Sequence, residues 1–150
     1  MPDDPSKLIT EQLTSLSDNM PMLTILLREM TEQTPEEQVV KNLQRIITDP
    51  RVALIVVREE GEIQGCIIVN LILKAARIEA RIDEVVVSPA MRGKGCGKIL
   101  CKAGIEWARQ HGASVVELTS RPSREIANHM YQSLGFQHRE TNVYSMHLES

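Results

Sequence analysis

The stretch Val85-Val86-Val87-Ser88-Pro89-Ala90-Met91-Arg92-Gly93-Lys94-Gly95-Cys96-Gly97-Lys98 carries the most information in this chain. Three β-branched residues read as the end of a strand, and Ser88-Pro89 stops it. A glycine-rich basic loop follows. Cys96, Leu100, Ala103 and Trp107 then recur on one face of a helix that Gly112 closes. Glycines between a strand and a helix start leave backbone N–H groups bare at the positive end of a helix dipole, an arrangement suited to an anion. Spacing separates the kinds of phosphate loop. A Walker loop around Gly97-Lys98 needs Gly and Ser or Thr where this chain has Arg92 and Ile99. A dinucleotide fingerprint starting at Gly93 or Gly95 needs glycine at Lys98 or Leu100, and it belongs after the first strand, whereas this loop lies past mid-chain.

Working outward, the strand from about Arg77 to Val87 changes parity: Ile78, Ala80 and Ile82 are even, Val85 and Val87 odd. Two readings stay open, a β-bulge near Asp83 and Glu84 or a strand buried on both faces. Upstream, Val52 to Val57 and Ile63 to Leu73 are strands joined by a turn at Glu60-Gly61. Thr34, Pro35 and Glu37 have the spacing of a capping box ahead of the stripe Val39, Val40, Leu43, Ile46 and Ile47, which Asp49-Pro50 ends. Residues Leu8 to Leu16 suggest a first strand. A helix from Asn19 to Met30, capped by Ser17 or Asp18, follows it. Downstream come a short strand, Val115 to Thr119, and a helix capped by Ser120 or Ser123 with Ile126, Met130 and Leu134 stacked before Gly135. Phe136 to Arg139 and Val143 to Leu148 read as a closing hairpin turned at Glu140, Thr141 and Asn142. The order β, α, α, β, β, β, α, β, α, β, β describes a mixed α/β protein, one domain over residues 1–150 with a frayed tail at 1–6.

Three features coincide: Arg92-x-x-Gly95-x-Gly97, the approach from Val85 to Met91, and Ala127-x-x-x-Tyr131-x-x-x-Gly135-Phe136. On these the sequence strongly resembles the GNAT superfamily of N-acetyltransferases over roughly residues 52 to 148. The resemblance implies a central, mostly antiparallel sheet splayed at its fourth strand and flanked by about four helices. It implies acetyl-CoA as donor, with backbone amides of Gly93, Lys94, Gly95, Cys96, Gly97 and Lys98 around the pyrophosphate and Arg92 and Lys94 as nearby charge. Val85, Val86 and Val87 would meet the pantetheine arm through main-chain groups. Tyr131 stands where many members carry a general acid. One departure is Arg124, which replaces the asparagine many members place seven residues before that tyrosine.

The chemistry poses two proton problems. An alkylammonium of pKa about 10.4 is roughly one part in two thousand free amine at pH 7, so a base or water chain must deprotonate the acceptor. The departing thiolate leaves more readily if protonated, which a phenol can do. For the base, Asp83, Glu84 and ordered water stay open, with Glu84 favoured. Ile82 to Val87 is similar to the corresponding strand of glucosamine-6-phosphate N-acetyltransferases, which have two adjacent acids there. Arg77 and Arg81 are candidates to hold a carboxylate or phosphate on a small acceptor such as an amino sugar phosphate, amino acid or polyamine. A protein amine and a non-catalytic acyl-CoA-binding module are the competing readings, and a homodimer is compatible with the resemblance.

Composition argues against nucleic-acid and membrane partners. The 150 residues are 42% hydrophobic, and 17 Lys and Arg against 20 Asp and Glu leave a net charge of −3, so no global field draws the chain to nucleic acid or an anionic bilayer. Cys66, Cys96 and Cys101 are odd in number and lie in or beside apolar stretches, which indicates a reducing, cytoplasmic setting. Cys96 reads as a packing residue. No His or Cys spacing suggests a metal, and no serine sits in a GxSxG context.

Overall fold

The computed structural model describes residues 7–149, so the expected tail at 1–6 lies outside the described residues. They fall into two compact units, one ending at Thr119 and the other beginning at Ser120. In the first unit β1 (Leu8–Gln12), β2 (Val52–Glu59), β3 (Glu62–Leu73), β4 (Ile78–Val87) and β5 (Ala113–Glu117) form one sheet in sequence order. The first three pairings are antiparallel and β4–β5 is parallel. Parallel neighbours require a crossover, here supplied by α4 (Cys96–Gln110). The β2–β3 turn is tight because Glu60 and Gly61 both adopt positive φ, 50° and 83°, as two-residue hairpin turns demand.

The unbroken apolar run of β3 is explained by two covered faces. Cys66 and Ile68 join Leu54 and Val56 in a core completed by Leu23, Leu26 and Leu27 from α1 (Met20–Leu26) and its end, and by Val39 and Leu43 from α3 (Glu36–Thr48). Ile67 and Val69 point the other way, under α4. A Cβ on Gly104 would come within 3.0 Å of Val69 Cγ2 and 3.3 Å of Ile67 Cδ1, so this glycine lets α4 settle onto β3.

Several expected boundaries move. The helix foreseen over Asn19–Met30 is a 3₁₀ turn (Ser17–Asn19), α1, a break at Leu27, and α2 (Arg28–Thr31). The hydroxyls of Thr24 and Thr31 donate to the Met20 and Leu27 carbonyls at 2.9 Å, the back-bonding that bends helices. Pro35 takes extended angles (φ −56°, ψ 140°) and is itself the cap of α3, so the box foreseen at Thr34 starts one residue too early. The Pro35 carbonyl accepts from the Gln38 and Val39 amides. The last strand of the sheet begins two residues before Val115, because Gly112 at φ 88° turns α4 straight into it.

In the second unit α5 (Glu125–Ser133) starts after Arg124 with no side-chain cap, so neither Ser120 nor Ser123 serves as one. Its covered side holds buried Tyr131 with half-buried Ala127, Met130 and Leu134, whereas Ile126 is 89% exposed and leaves the expected stack. Gly135 at φ 102° closes the helix and lets the Phe136 amide reach the Tyr131 carbonyl at 3.1 Å. The hairpin over Phe136–Arg139 and Val143–Leu148 is not formed: residues 136–149 contain no strand. A three-residue hairpin turn uses a residue in the left-handed region, yet among the described residues the non-glycine positions with positive φ are Glu60 and Glu84, and Glu140-Thr141-Asn142 contains no glycine.

Candidate active site

On β3 and β4 the paired residues jump from Ile68 opposite Asp83 to Cys66 opposite Val86, so two steps on β3 span three on β4. The extra residue includes Glu84, at φ 52°, a left-handed conformation that costs a side-chain-bearing residue about 1–2 kcal/mol. The bulge therefore accounts for the parity change. Asp83 and Val86 share the α1–α3 side with Ile68 and Cys66, while Ile82, Val85 and Val87 share the other side of the sheet.

The bulge gives the two adjacent acids different surroundings. Asp83 is tied on both oxygens: Asn70 Nδ2 donates to Oδ2 at 3.0 Å and Arg81 Nε lies 3.4 Å from Oδ1. Glu84 is exposed at its edge, but the loss of water around its carboxyl, followed by the negative charge of Asp83, raises its pKa above the usual carboxylate value. A base raised in this way accepts a proton more readily near neutral pH. Beneath it, Cys66 is fully buried, and burial together with the Glu84 charge pushes its thiol up to about 12, so it stays neutral packing.

Past Arg81 the sheet opens. β5 pairs with β4 only from Ile78 to Arg81 and ends at Glu117, so among the described residues the β5-side edge of β4 from Ile82 to Val87 has no strand partner. Val85, Val86 and Val87, all half-buried, lie on this open length. Where the strands part, Ile72, Lys74, Glu79, Arg81, Glu117, Leu118 and Thr119 line a pocket of about 260 Å³.

The loop is anchored at its entry by Gln64, whose carbonyl accepts the Ser88 amide and whose side-chain oxygen accepts the Ser88 hydroxyl, both at 2.8 Å. Pro89–Met91 forms a 3₁₀ turn with Met91 buried as a plug. Gly93 and Gly95 take φ 78° and 83°, and a Cβ on either would meet no atom within 4 Å, so the space before the loop is open. The helix ladder begins with the Ile99 amide donating to the Gly95 carbonyl, which leaves the Cys96, Gly97 and Lys98 amides ahead of it. Arg92, Lys94 and Lys98 are exposed around them, while Cys96 is buried as a packing residue. These features fit a pyrophosphate-bearing donor.

Some expectations change. Arg77 is not a group waiting for an acceptor: its guanidinium donates twice to Glu79 Oε1, at 2.9 and 2.6 Å, while Lys74 Nζ lies 2.9 Å from Oε2. The buried Glu79 carboxyl is held below its usual pKa by the bonds from Lys74 and then Arg77. Arg-x-Glu on one strand face was the available signal. Gly65 was missed as well. A Cβ there would lie 2.8 Å from the Val86 carbonyl oxygen and 3.2 Å from Leu100 Cδ1, so glycine permits the close approach of β3 to β4 beside the open edge. In the second unit, Tyr131 is buried with its ring edge-on to Phe136, centroids 6.0 Å apart. Arg124 is exposed at the start of α5, its carbonyl accepting the Asn128 amide.

The family model described as "Acetyltransferase (GNAT) family" matches residues 19–136. An aminoalkylphosphonate N-acetyltransferase of Salmonella typhimurium is 34% identical over 92 residues, 60% of this chain and 60% of that protein. An uncharacterized N-acetyltransferase of Methanocaldococcus jannaschii is 38% identical over 61 residues, 41% of this chain and 27% of that one. The chain thus spans about a quarter to three fifths of the length of these curated relatives. Among solved structures, one described as a transcriptional regulator from Bacillus halodurans superposes with TM-score 0.79 at 26% identity, covering 94% of this chain and 99% of its own. With a family match across 118 residues, the strand–loop–helix geometry and the opened sheet, the chain belongs to the GNAT family of acetyltransferases.

Proposed function

We propose that this chain, as a single catalytic domain over residues 1–150, moves the acetyl group of acetyl-CoA to the primary amine of a small molecule by direct attack in a ternary complex. The observation that carries this reading is one continuous stretch: a bulge presenting Glu84, an open β4 edge at Val85–Val87, and a glycine loop running into α4. Amides at Gly93–Lys98 bind the donor's pyrophosphate, with Arg92 and Lys94 adding charge. The main chain of Val85, Val86 and Val87 orients the acyl-bearing arm along the strand edge. Glu84 takes the ammonium proton, and Asp83, fixed by Asn70 and Arg81, sustains the raised affinity of Glu84 for it. Tyr131 gives a proton to the departing thiolate.

Of the two arginines considered for the acceptor, Arg81 is the one retained. It is half-exposed at the pocket where the strands part, and Arg77 is spent on Glu79. A small amine bearing a carboxylate, phosphate or phosphonate suits such a group, in keeping with the phosphonate acceptor in the name of the Salmonella relative. The test is acetyl-CoA-dependent thiol release against a panel: an aminoalkylphosphonate, an amino sugar phosphate, an uncharged alkylamine and a lysine peptide. Turnover is expected with the anionic small amines, falling when Arg81 is changed to Gln. Acetylation confined to the peptide would refute a small acceptor, and no acetyl-CoA-dependent thiol release with any amine of the panel would refute catalysis.

A further inference from the structure

A second bulge lies on β3, near the entry of the glycine loop. Val57 and Arg58 are neighbours on β2, yet they pair with Gly65 and Ile63, so Gln64 has no opposite residue on β2. An extra residue of this kind leaves the ladder, and bulges re-aim the side chain they carry. Both oxygens of Gln64 meet Ser88: the main-chain carbonyl accepts the Ser88 amide and Oε1 accepts the Ser88 hydroxyl, each at 2.8 Å. The two residues are half-buried.

Ser88 is where the loop takes its direction. It stands at the N-terminal boundary of the Pro89–Met91 turn, where a serine hydroxyl ordinarily accepts from an amide of its own turn. Here that cap bond is not made, and the hydroxyl goes to Gln64. Pro89 restricts Ser88 to extended angles, φ −58° and ψ 146°, and the Ser88 carbonyl accepts the Met91 amide at 3.0 Å. Amide, hydroxyl and carbonyl of Ser88 are thus all held. Met91 is buried two residues before Gly93, and from Arg92 to Gly95 the loop is exposed, with no packing of its own to aim it.

We infer that Gln64 is a positioning residue for the donor: by fixing Ser88 it aims the loop amides that follow before a pyrophosphate arrives. The inference rests on the reading of Gly93–Lys98 as the pyrophosphate site. A loop already held in its binding conformation loses less freedom when the ligand binds, so the gain falls on the part of the donor that the loop touches. General bracing of the sheet would have no such locality.

The test compares acetyl-CoA with acetylpantetheine, which has the same thioester and arm but no pyrophosphate. Wild type, Gln64→Leu, Ser88→Ala and the double variant are titrated by calorimetry and assayed with the amine the panel selects. Each single variant is expected to weaken acetyl-CoA binding roughly 3- to 10-fold, the weight of one neutral hydrogen bond. Changes in kcat at saturating acetyl-CoA and in kcat/KM for acetylpantetheine are expected to stay within about 2-fold. The double variant should lose no more than either single one, because both remove the same bond. Ser88→Thr keeps the hydroxyl and should bind acetyl-CoA as wild type does.

Undiminished affinity in folded variants, losses that multiply, or equal losses with the two donors would overturn the inference and leave the donor site standing. A wild type that binds no acetyl-CoA would overturn the reading of the loop and this inference with it. Hydrogen exchange on the wild type needs no substitution and stays decisive if a variant fails to fold. The Ser88 and Met91 amides are expected to be protected before donor is added, and exchange at the rate of an unfolded chain would overturn the inference.

Discussion

Tyr131→Phe is expected to lower turnover on the order of 10²-fold or more while leaving acetyl-CoA affinity unchanged, the signature of lost general acid help. The substitution keeps the ring that packs edge-on against Phe136 and removes one oxygen, so the fold of α5 is preserved. The loss should appear in kcat and kcat/KM together, because a proton donated only as the thiolate departs stabilises the transition state and not the bound donor. Acceptors do not change this expectation, since every amine shares the same leaving group. Steady-state rates at saturating donor, with a melt to confirm folding, make the check. Unchanged turnover in a folded Phe variant would remove Tyr131 from the mechanism and return it to the core packing that its burial also serves.

For Glu84→Gln a loss of roughly 10²- to 10⁴-fold is expected, with a change in pH dependence that a structural role would not produce. Only the carboxylate accepts the ammonium proton. The pKa of Glu84 is raised by lost solvation and then by Asp83, so wild-type rate should fall as pH drops through a value above the ordinary carboxylate range. In the Gln variant that limb disappears. Stability runs in the opposite sense: a carboxyl whose folded pKa exceeds its unfolded value makes the folded state lose stability as pH rises from the unfolded pKa through the folded one. The Gln variant should therefore melt no lower than wild type at neutral pH, with any advantage shrinking in acid. Parallel pH–rate profiles in the two proteins would exclude Glu84 as the base.

Much of this site was legible because its signals are local. Arg92-x-x-Gly95-x-Gly97 fixes a loop by glycine conformation alone, and Gly93 and Gly95 do take the positive φ that only glycine adopts freely. The parity slip between Ile82 and Val85 left a bulge and a strand buried on both faces open, and the register jump from Ile68–Asp83 to Cys66–Val86 decides for the bulge. What escaped depends on partners distant in sequence. Gly65 matters only because Val86 and Leu100 press on it. Arg77 looked free until Glu79 turned inward and Lys74 closed the other oxygen. At the C-terminal end Val143 to Leu148 read as a strand, yet residues 136–149 contain none.

Underlying every role assigned here is the donor's place on β4, the glycine loop and α4. A thermal melt with and without excess acetyl-CoA addresses it without knowing the acceptor. At about a hundred times the dissociation constant a ligand bound only by the folded state adds about 2.7 kcal/mol, several degrees for a domain of this size. The expected result is a clear upward shift with acetyl-CoA that is diminished in Gly95→Val, where a branched side chain enters both a positive-φ position and the open space before the loop. No shift of the wild-type protein at millimolar acetyl-CoA would contradict the assignment of the loop.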